Sequence, residues 1–234
     1  MRDSWRHFTA EFIGIFALVF VGGAAIMSSS LWNLNPLLIA AIAHGLILSI
    51  MVTATMRISG HLNPAVTIGF LVTNRIEPMM AAIYIVGQIL GAVSAAYALK
   101  FVFPTAVGVA AHLGGQSVSG DISMVQAIAC EAIATFFLVF VVFGTAVDPA
   151  APKVGGFAIG LTVTADILAI GSRTGASMNP ARSFGPAVAS GYFEGHVVYW
   201  VGPLLGGIAA ALLYDKLFLP RGKDNAAHGA VDPV

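Results

Sequence analysis

Long apolar stretches recur along the chain at 8–28, 37–56, 79–101, 124–147, 154–171 and 196–219. Each approaches the ~20 residues a helix needs to cross a hydrocarbon core about 30 Å thick. Two shorter apolar segments interrupt the series, opened by the tripeptides Asn63-Pro64-Ala65 and Asn179-Pro180-Ala181. Proline at the first helical position sacrifices no hydrogen bond, and the asparagine before it is a favoured N-cap. Each tripeptide therefore predicts a helix start. The segment from Pro64 to Thr73 extends roughly 15 Å, enough to reach the midplane and no further. The pattern predicts an all-α membrane protein with six transmembrane helices and two re-entrant half-helices. The fifth span is punctuated by Gly155, Gly156, Gly160 and Gly171, as where membrane helices approach closely.

The two halves repeat one another. The stretch Tyr84-Ile-Val-Gly-Gln-Ile-Leu-Gly91 aligns with Tyr199-Trp-Val-Gly-Pro-Leu-Leu-Gly206 at an offset of 115, and the two motif asparagines lie 116 apart. Glu11 answers to Glu131, and Ala17-Leu-Val-Phe20 to Leu138-Val-Phe140. The chain reads as one channel domain over 1–234, built of repeats at about 5–105 and 120–219. Three spans per repeat is an odd number, so the second copy enters the membrane upside down relative to the first.

Composition agrees with a membrane setting. Mean hydropathy is +0.88 with 58% hydrophobic and 9% charged residues, against about a quarter charged in soluble domains. Arg2, Arg6, Arg57, Arg75, Lys153, Lys216, Arg221 and Lys223 fall on one side of the predicted spans, and Lys100, Arg173 and Arg182 on the other. The excess of basic residues makes the termini cytoplasmic. The first span is too long for a cleaved leader and lacks its small-residue cleavage site, so it is expected to be retained. Cys130 is the single cysteine and reads as a packing residue of the fourth span. The tail 222–234 is polar, small and expected to be disordered. Net formal charge is zero, and no basic run suits nucleic acid.

In an inverted repeat the half-helices enter from opposite faces and meet N-terminus to N-terminus. Each end carries roughly half a positive charge and unpaired N–H donors, to which the asparagine amides add. Such a midpoint accepts the oxygen of water and repels a proton or metal cation stripped of its hydration shell.

The segments Ser59-Gly-His-Leu-Asn-Pro-Ala-Val66 and Gly175-Ala-Ser-Met-Asn-Pro-Ala-Arg-Ser-Phe-Gly185 resemble the two signatures of the aquaporin (major intrinsic protein) family, over residues 5–219. The resemblance implies a homotetramer in membrane lipid, one pore per subunit, with Glu11 and Glu131 as buried carboxylates that hold loop backbone. Proton-pathway carboxylates are the alternative for that pair. Ser183, Ala187 and Tyr199-Trp200 resemble the water-channel branch rather than the glycerol facilitators, in which aspartate replaces Ser183. Carried over position by position, the selectivity filter is His44, Ile167, Ala176 and Arg182. That set, with Asp166-Ile-Leu-Ala-Ile-Gly171, resembles plant tonoplast members, several of which pass ammonia as well as water. Isoleucine at the fifth-helix position leaves Arg182 and His44 to orient the solute. His112 matches a loop histidine that joins the filter in some of those relatives, although a lone loop histidine is usually just solvated.

Other classes fare worse. A secondary transporter needs a coupling cluster near the midplane, and none accompanies the two motifs. An enzyme needs a nucleophile and base or a metal-ligand cluster, whereas His44, His61 and His112 lie on separate segments without ligand spacing, so no metal, cofactor or catalytic residue is expected. A strictly water-selective pore and a closed, junction-forming protein remain as alternatives on the same scaffold. The compact termini point to a prokaryotic plasma membrane, while the filter resembles vacuolar relatives.

Overall fold

The structure is a computed structural model describing residues 2–152 and 154–219, so the tail expected to be disordered lies outside the described residues. Six long helices carry the predicted spans: α1 (Arg2–Leu31), α2 (Pro36–Thr55), α4 (Pro78–Val102), α6 (Met124–Val142), α7 (Gly155–Thr174) and α9 (Val198–Leu217). All six are long and apolar enough to cross a membrane. The half-helices are α3 (Pro64–Val72) and α8 (Pro180–Ser190), both opened by the motif prolines. The fourth span runs on from α6 through a π-helical turn, Phe143–Val147. The hydropathy pattern did not foretell that turn. Nor did it foretell the short helix α5 (Thr105–Ala110) and the single 3-10 turn at His112–Gly114 that fill the connection between the halves.

Packing follows the duplication. Within the first half α1 lies along α4, and within the second α6 lies along α9, while α2 and α7 pair across the two halves. Each half-helix docks against the other half: α3 on α9 and α8 on α4. The glycines of the aligned stretch explain the intra-half contacts. A Cβ on Gly91 would fall 2.4 Å from the Phe12 carbonyl oxygen, and one on Gly206 would fall 2.0 Å from that of Ala132. Helix backbones therefore touch one residue beyond each buried glutamate. The α2–α7 crossing is equally close, since a Cβ on Gly45 would sit 2.6 Å from the Gly160 carbonyl oxygen. Glycines that punctuate the fifth span thus serve close approach, as small residues do in membrane bundles.

The outer faces of the spans are apolar, with Leu46, Ile50, Ile133, Phe157 and Leu205 all at least half exposed. The polar groups run the other way, into the bundle: Glu11, Gln88, Glu131 and Thr174 are fully buried. An apolar exterior around a polar interior is the arrangement a bilayer selects.

Candidate functional site

The two loops that lead into α3 and α8 meet at the centre of the bundle, and their backbone N–H groups, lying outside any helix, need other partners. Glu11 on α1 provides them for the first loop. Its Oε1 accepts from the N–H groups of Gly60 at 3.0 Å and His61 at 2.9 Å, and its Oε2 from that of Leu62 at 2.7 Å. Glu131 on α6 repeats the arrangement, accepting from the N–H groups of Ser177 at 2.9 Å and Met178 at 2.7 Å. Neither carboxylate stands in the pore lining; both hold backbone.

Leu62 and Met178, the residues before the motif asparagines, are held at φ 49 and 54. That left-handed conformation is uncommon for residues with a side chain. It turns each carbonyl to the opposite loop: Asn179 Nδ2 donates to the Leu62 oxygen and Asn63 Nδ2 to the Met178 oxygen, both at 2.8 Å. Each asparagine Oδ1 meanwhile caps its own half-helix, Asn63 through Ala65 N and Asn179 through Ala181 N and Arg182 N. One N–H of each amide is spent on the opposite loop, and its other N–H remains for a solute.

A cavity of about 490 Å³, its open ends included, lies between these loops and the long helices. His61, Asn63, Ser177 and Asn179 form a polar line along it, facing an apolar wall that includes Leu48, Val66, Leu138 and Val163. At one end stand His44, Ile167, Ala176 and Arg182, all at most 5% exposed. Ile167 and Arg182 also border a wider vestibule, so this group lies at the junction of the two spaces.

Hydrogen bonds define the state of this junction. His44 Nδ1 donates to the Ala40 carbonyl oxygen at 2.8 Å, leaving Nε2 to accept from Arg182 Nη2 at 2.8 Å and Nε at 3.2 Å. The imidazole is the neutral Nδ1–H tautomer, since a guanidinium can only donate. Both ring nitrogens are therefore committed, which corrects the expectation that His44 offers a free hydrogen-bonding group to solute: it fixes Arg182 instead. Arg182 Nη1 is buried and has no partner. Gly22 on α1 makes the pairing feasible, because a Cβ there would lie 2.2 Å from His44 Nε2.

His112 is not brought to this group. Its ring stacks on Tyr192 with centroids 3.8 Å apart, and it lines two other cavities, neither the pore nor the vestibule. The connecting segment instead delivers Gln116, which borders the vestibule together with Arg182 and Ile167. Gln116 is 7% exposed, and both its Nε2 and its Oε1 lack partners. The segment is tied down just beyond it: Ser119 N donates to the Arg173 carbonyl oxygen at 2.8 Å, and the Arg173 guanidinium pairs with Asp121. The hydrogen bond from Ser119 and then Arg173 hold the Asp121 carboxyl below its ordinary range. No motif marked Gln116. Only its place four residues past a histidine already under suspicion pointed near it.

A cavity lined by the loops of two half-helices and joined to a vestibule through shared lining residues, inside a bundle with an apolar exterior, is the arrangement of a multi-pass membrane channel. A family model described as "Major intrinsic protein" matches residues 1–214, and the chain belongs to that family, whose members are channels for water and small solutes rather than enzymes. It is 42% identical over 226 residues to aquaporin TIP4-4 of Zea mays, covering 93% of this chain and 88% of the maize protein. It is 43% identical to aquaporin TIP2-1 of Arabidopsis thaliana, covering 92% and 88% of the two chains. With a probable aquaporin TIP2-1 of Oryza sativa the identity is 46%, over 92% and 89%. Among solved structures, the aquaglyceroporin from Plasmodium falciparum superposes with a TM-score of 0.79 at 25% identity, covering 92% of this chain and 96% of that one.

Two outcomes follow from the geometry. Glu131→Ala leaves the N–H groups of Ser177 and Met178 unpaired in the interior, at roughly 1–3 kcal/mol each. The thermal unfolding midpoint in detergent should fall clearly, and Glu131→Gln, which keeps an acceptor, should fall less. Secondly, Ala176 lines the path whereas Cys130 does not. Osmotic water flow should resist mercurials in the native protein and become sensitive in Ala176→Cys. Block of the native protein that disappears in Cys130→Ser would place the fourth span in control of the path.

Proposed function

We propose that this channel conducts water and also passes ammonia and other small neutral solutes, while excluding protons and ions. The reading is carried by the His44–Arg182 pair beside Ile167 and Ala176. Pairing consumes the imidazole and two of the five guanidinium N–H groups, which leaves both N–H groups of Arg182 Nη1 without a protein partner at a junction that Ile167 and Ala176 also line. The Gln116 amide adds a donor and an acceptor at the vestibule side. Water and ammonia both donate and accept, and both are small enough to exchange one of these partners for the next. Ile167 supplies no hydrogen bond that would favour water over ammonia. Ammonium and hydrated protons meet like charge from Arg182 and from the N-termini of α3 and α8.

Assembly as a homotetramer in membrane lipid is part of this reading, supported by the apolar outer faces of α2, α6 and α7. The similar proteins come from maize, Arabidopsis and rice, which runs against the prokaryotic plasma membrane expected from the compact termini. What survives of that expectation is an integral, multi-pass membrane protein.

The test of solute range is internal alkalinisation of proteoliposomes in an ammonium gradient, alongside stopped-flow osmotic shrinkage of the same preparation. Ammonia flux should exceed that of empty vesicles and grow with external pH, following the neutral species. Ile167→His combined with His44→Phe should lower ammonia flux much more than water flux. Alkalinisation no faster than in empty vesicles would leave a strictly water-selective pore, and absence of a fast osmotic response would leave a closed, structural role.

Ion exclusion has its own test. A fixed charge on Arg182 opposes a cation at 4 Å by about 4 kcal/mol at an effective dielectric of 20. Arg182→Val should keep water flow and admit a measurable proton or cation leak. Loss of water flow without leak would contradict the role given to Arg182.

A further inference from the structure

A second cavity, outside the path just described, opens where α4 ends. It occupies about 780 Å³ including its mouth and is walled by the last turn of α4, by α5 and by the residues that close α8. Its polar groups are the Lys100 ammonium, the hydroxyls of Thr105 and Ser190, and the His112 imidazole. We propose that this cavity binds the phosphodiester headgroup of an anionic phospholipid, with the acyl chains lying on the adjacent outer face of α4.

Charge and placement carry the proposal. Lys100 Nζ donates to the Ala189 carbonyl oxygen at 2.9 Å, which fixes the ammonium and uses one of its three protons. The remaining protons have no carboxylate to meet: among the described residues that line the cavity none is acidic, and the described ion pairs engage Arg75 and Arg173 instead. Glu194 lies beyond Tyr192, whose hydroxyl it accepts at 3.3 Å, so Tyr192 offers the cavity its ring and His112 stacks on that ring. Val109, which lines the cavity, is 67% exposed, and Phe101, next to Lys100 in the chain, is 91% exposed. Lys100 occupies the last turn of a 25-residue span, longer than the apolar layer it has to cross, so the end of that span falls towards the headgroup region. A cation there, beside exposed apolar side chains, matches a headgroup above and acyl chains below.

The experiment is native mass spectrometry of the detergent-solubilised protein with equimolar phosphatidylglycerol and phosphatidylcholine. The wild type should retain phosphatidylglycerol preferentially, and Lys100→Gln should reduce that preference about fivefold. Lys100→Arg should keep it. Because Lys100 also braces the end of α8, Val109→Glu provides an independent arm: it leaves the Lys100–Ala189 bond in place, sets a negative charge at the rim, and should abolish the preference as well. Equal phosphatidylglycerol retention in the wild type and both variants overturns the proposal. Displacement of the lipid by millimolar inorganic phosphate overturns it in favour of a free-anion site. Retention that ignores lipid charge but is lost when subunits dissociate overturns it in favour of coverage by a second copy of the chain.

Discussion

Unpaired backbone inside a membrane is the constraint on which this architecture rests. A helix satisfies its own N–H and C=O groups, but a chain that must turn at the midplane leaves several that no helix satisfies. Here the deficit is met by two carboxylates, one per half, each accepting from consecutive backbone N–H groups next to a motif asparagine. A buried carboxylate is itself costly, and what offsets the cost is that it accepts several hydrogen bonds at once. Everything that shapes the path follows from this: the left-handed residues at 62 and 178, the carbonyls they turn inward, and the crossed asparagine bonds that join the loops.

The two aligned halves share a frame, and the residues at which they differ supply the asymmetry. Gln88 donates to Glu11 at 2.6 Å in the first half, whereas its counterpart by the aligned stretch is Pro203, and Glu131 takes the Thr174 hydroxyl at 2.6 Å instead. The residue after the first tripeptide is Val66 and the residue after the second is Arg182. Both line the path, one as part of its apolar wall and the other as its fixed charge. A nearly symmetric scaffold thereby acquires one charged junction, at one end only, with the opposite half left apolar at the matching place.

Much of the fold was legible because hydropathy and helix caps are local signals. The six spans came out within a few residues of the observed helices, and Pro64 and Pro180 marked both half-helix starts. What escaped was decided by contacts made far along the chain. The π-helical turn after Val142 has no composition signature; it shows itself in space, where Phe143 packs on Phe70 and Tyr214 reaches Asp148. His44, Ile167, Ala176 and Arg182 line one cavity, yet the spending of both His44 nitrogens on Ala40 and Arg182 could not be read from residue identity. The connecting segment was the weakest part of the reading, because a histidine attracts a functional assignment and a glutamine does not. His112 went to an aromatic stack and Gln116 to the vestibule.

The junction also shows how absent atoms govern chemistry. His44 can reach Arg182 only because Gly22 has no side chain, and α2 can stand close enough to α7 only because Gly45 and Gly160 have none. Ala176, at φ 46, keeps a strained loop conformation while adding only a methyl group to the lining. Four small residues from four different segments thus set the room that one arginine and one histidine occupy. The guanidinium is hydrogen-bonded by the imidazole rather than by a carboxylate, and Glu131, the carboxylate whose charge reaches it, is spent on loop N–H groups and the Thr174 hydroxyl. The pair carries a positive charge beside the apolar Ile167 and Ala176, an arrangement that would oppose a cation far more than a neutral polar solute.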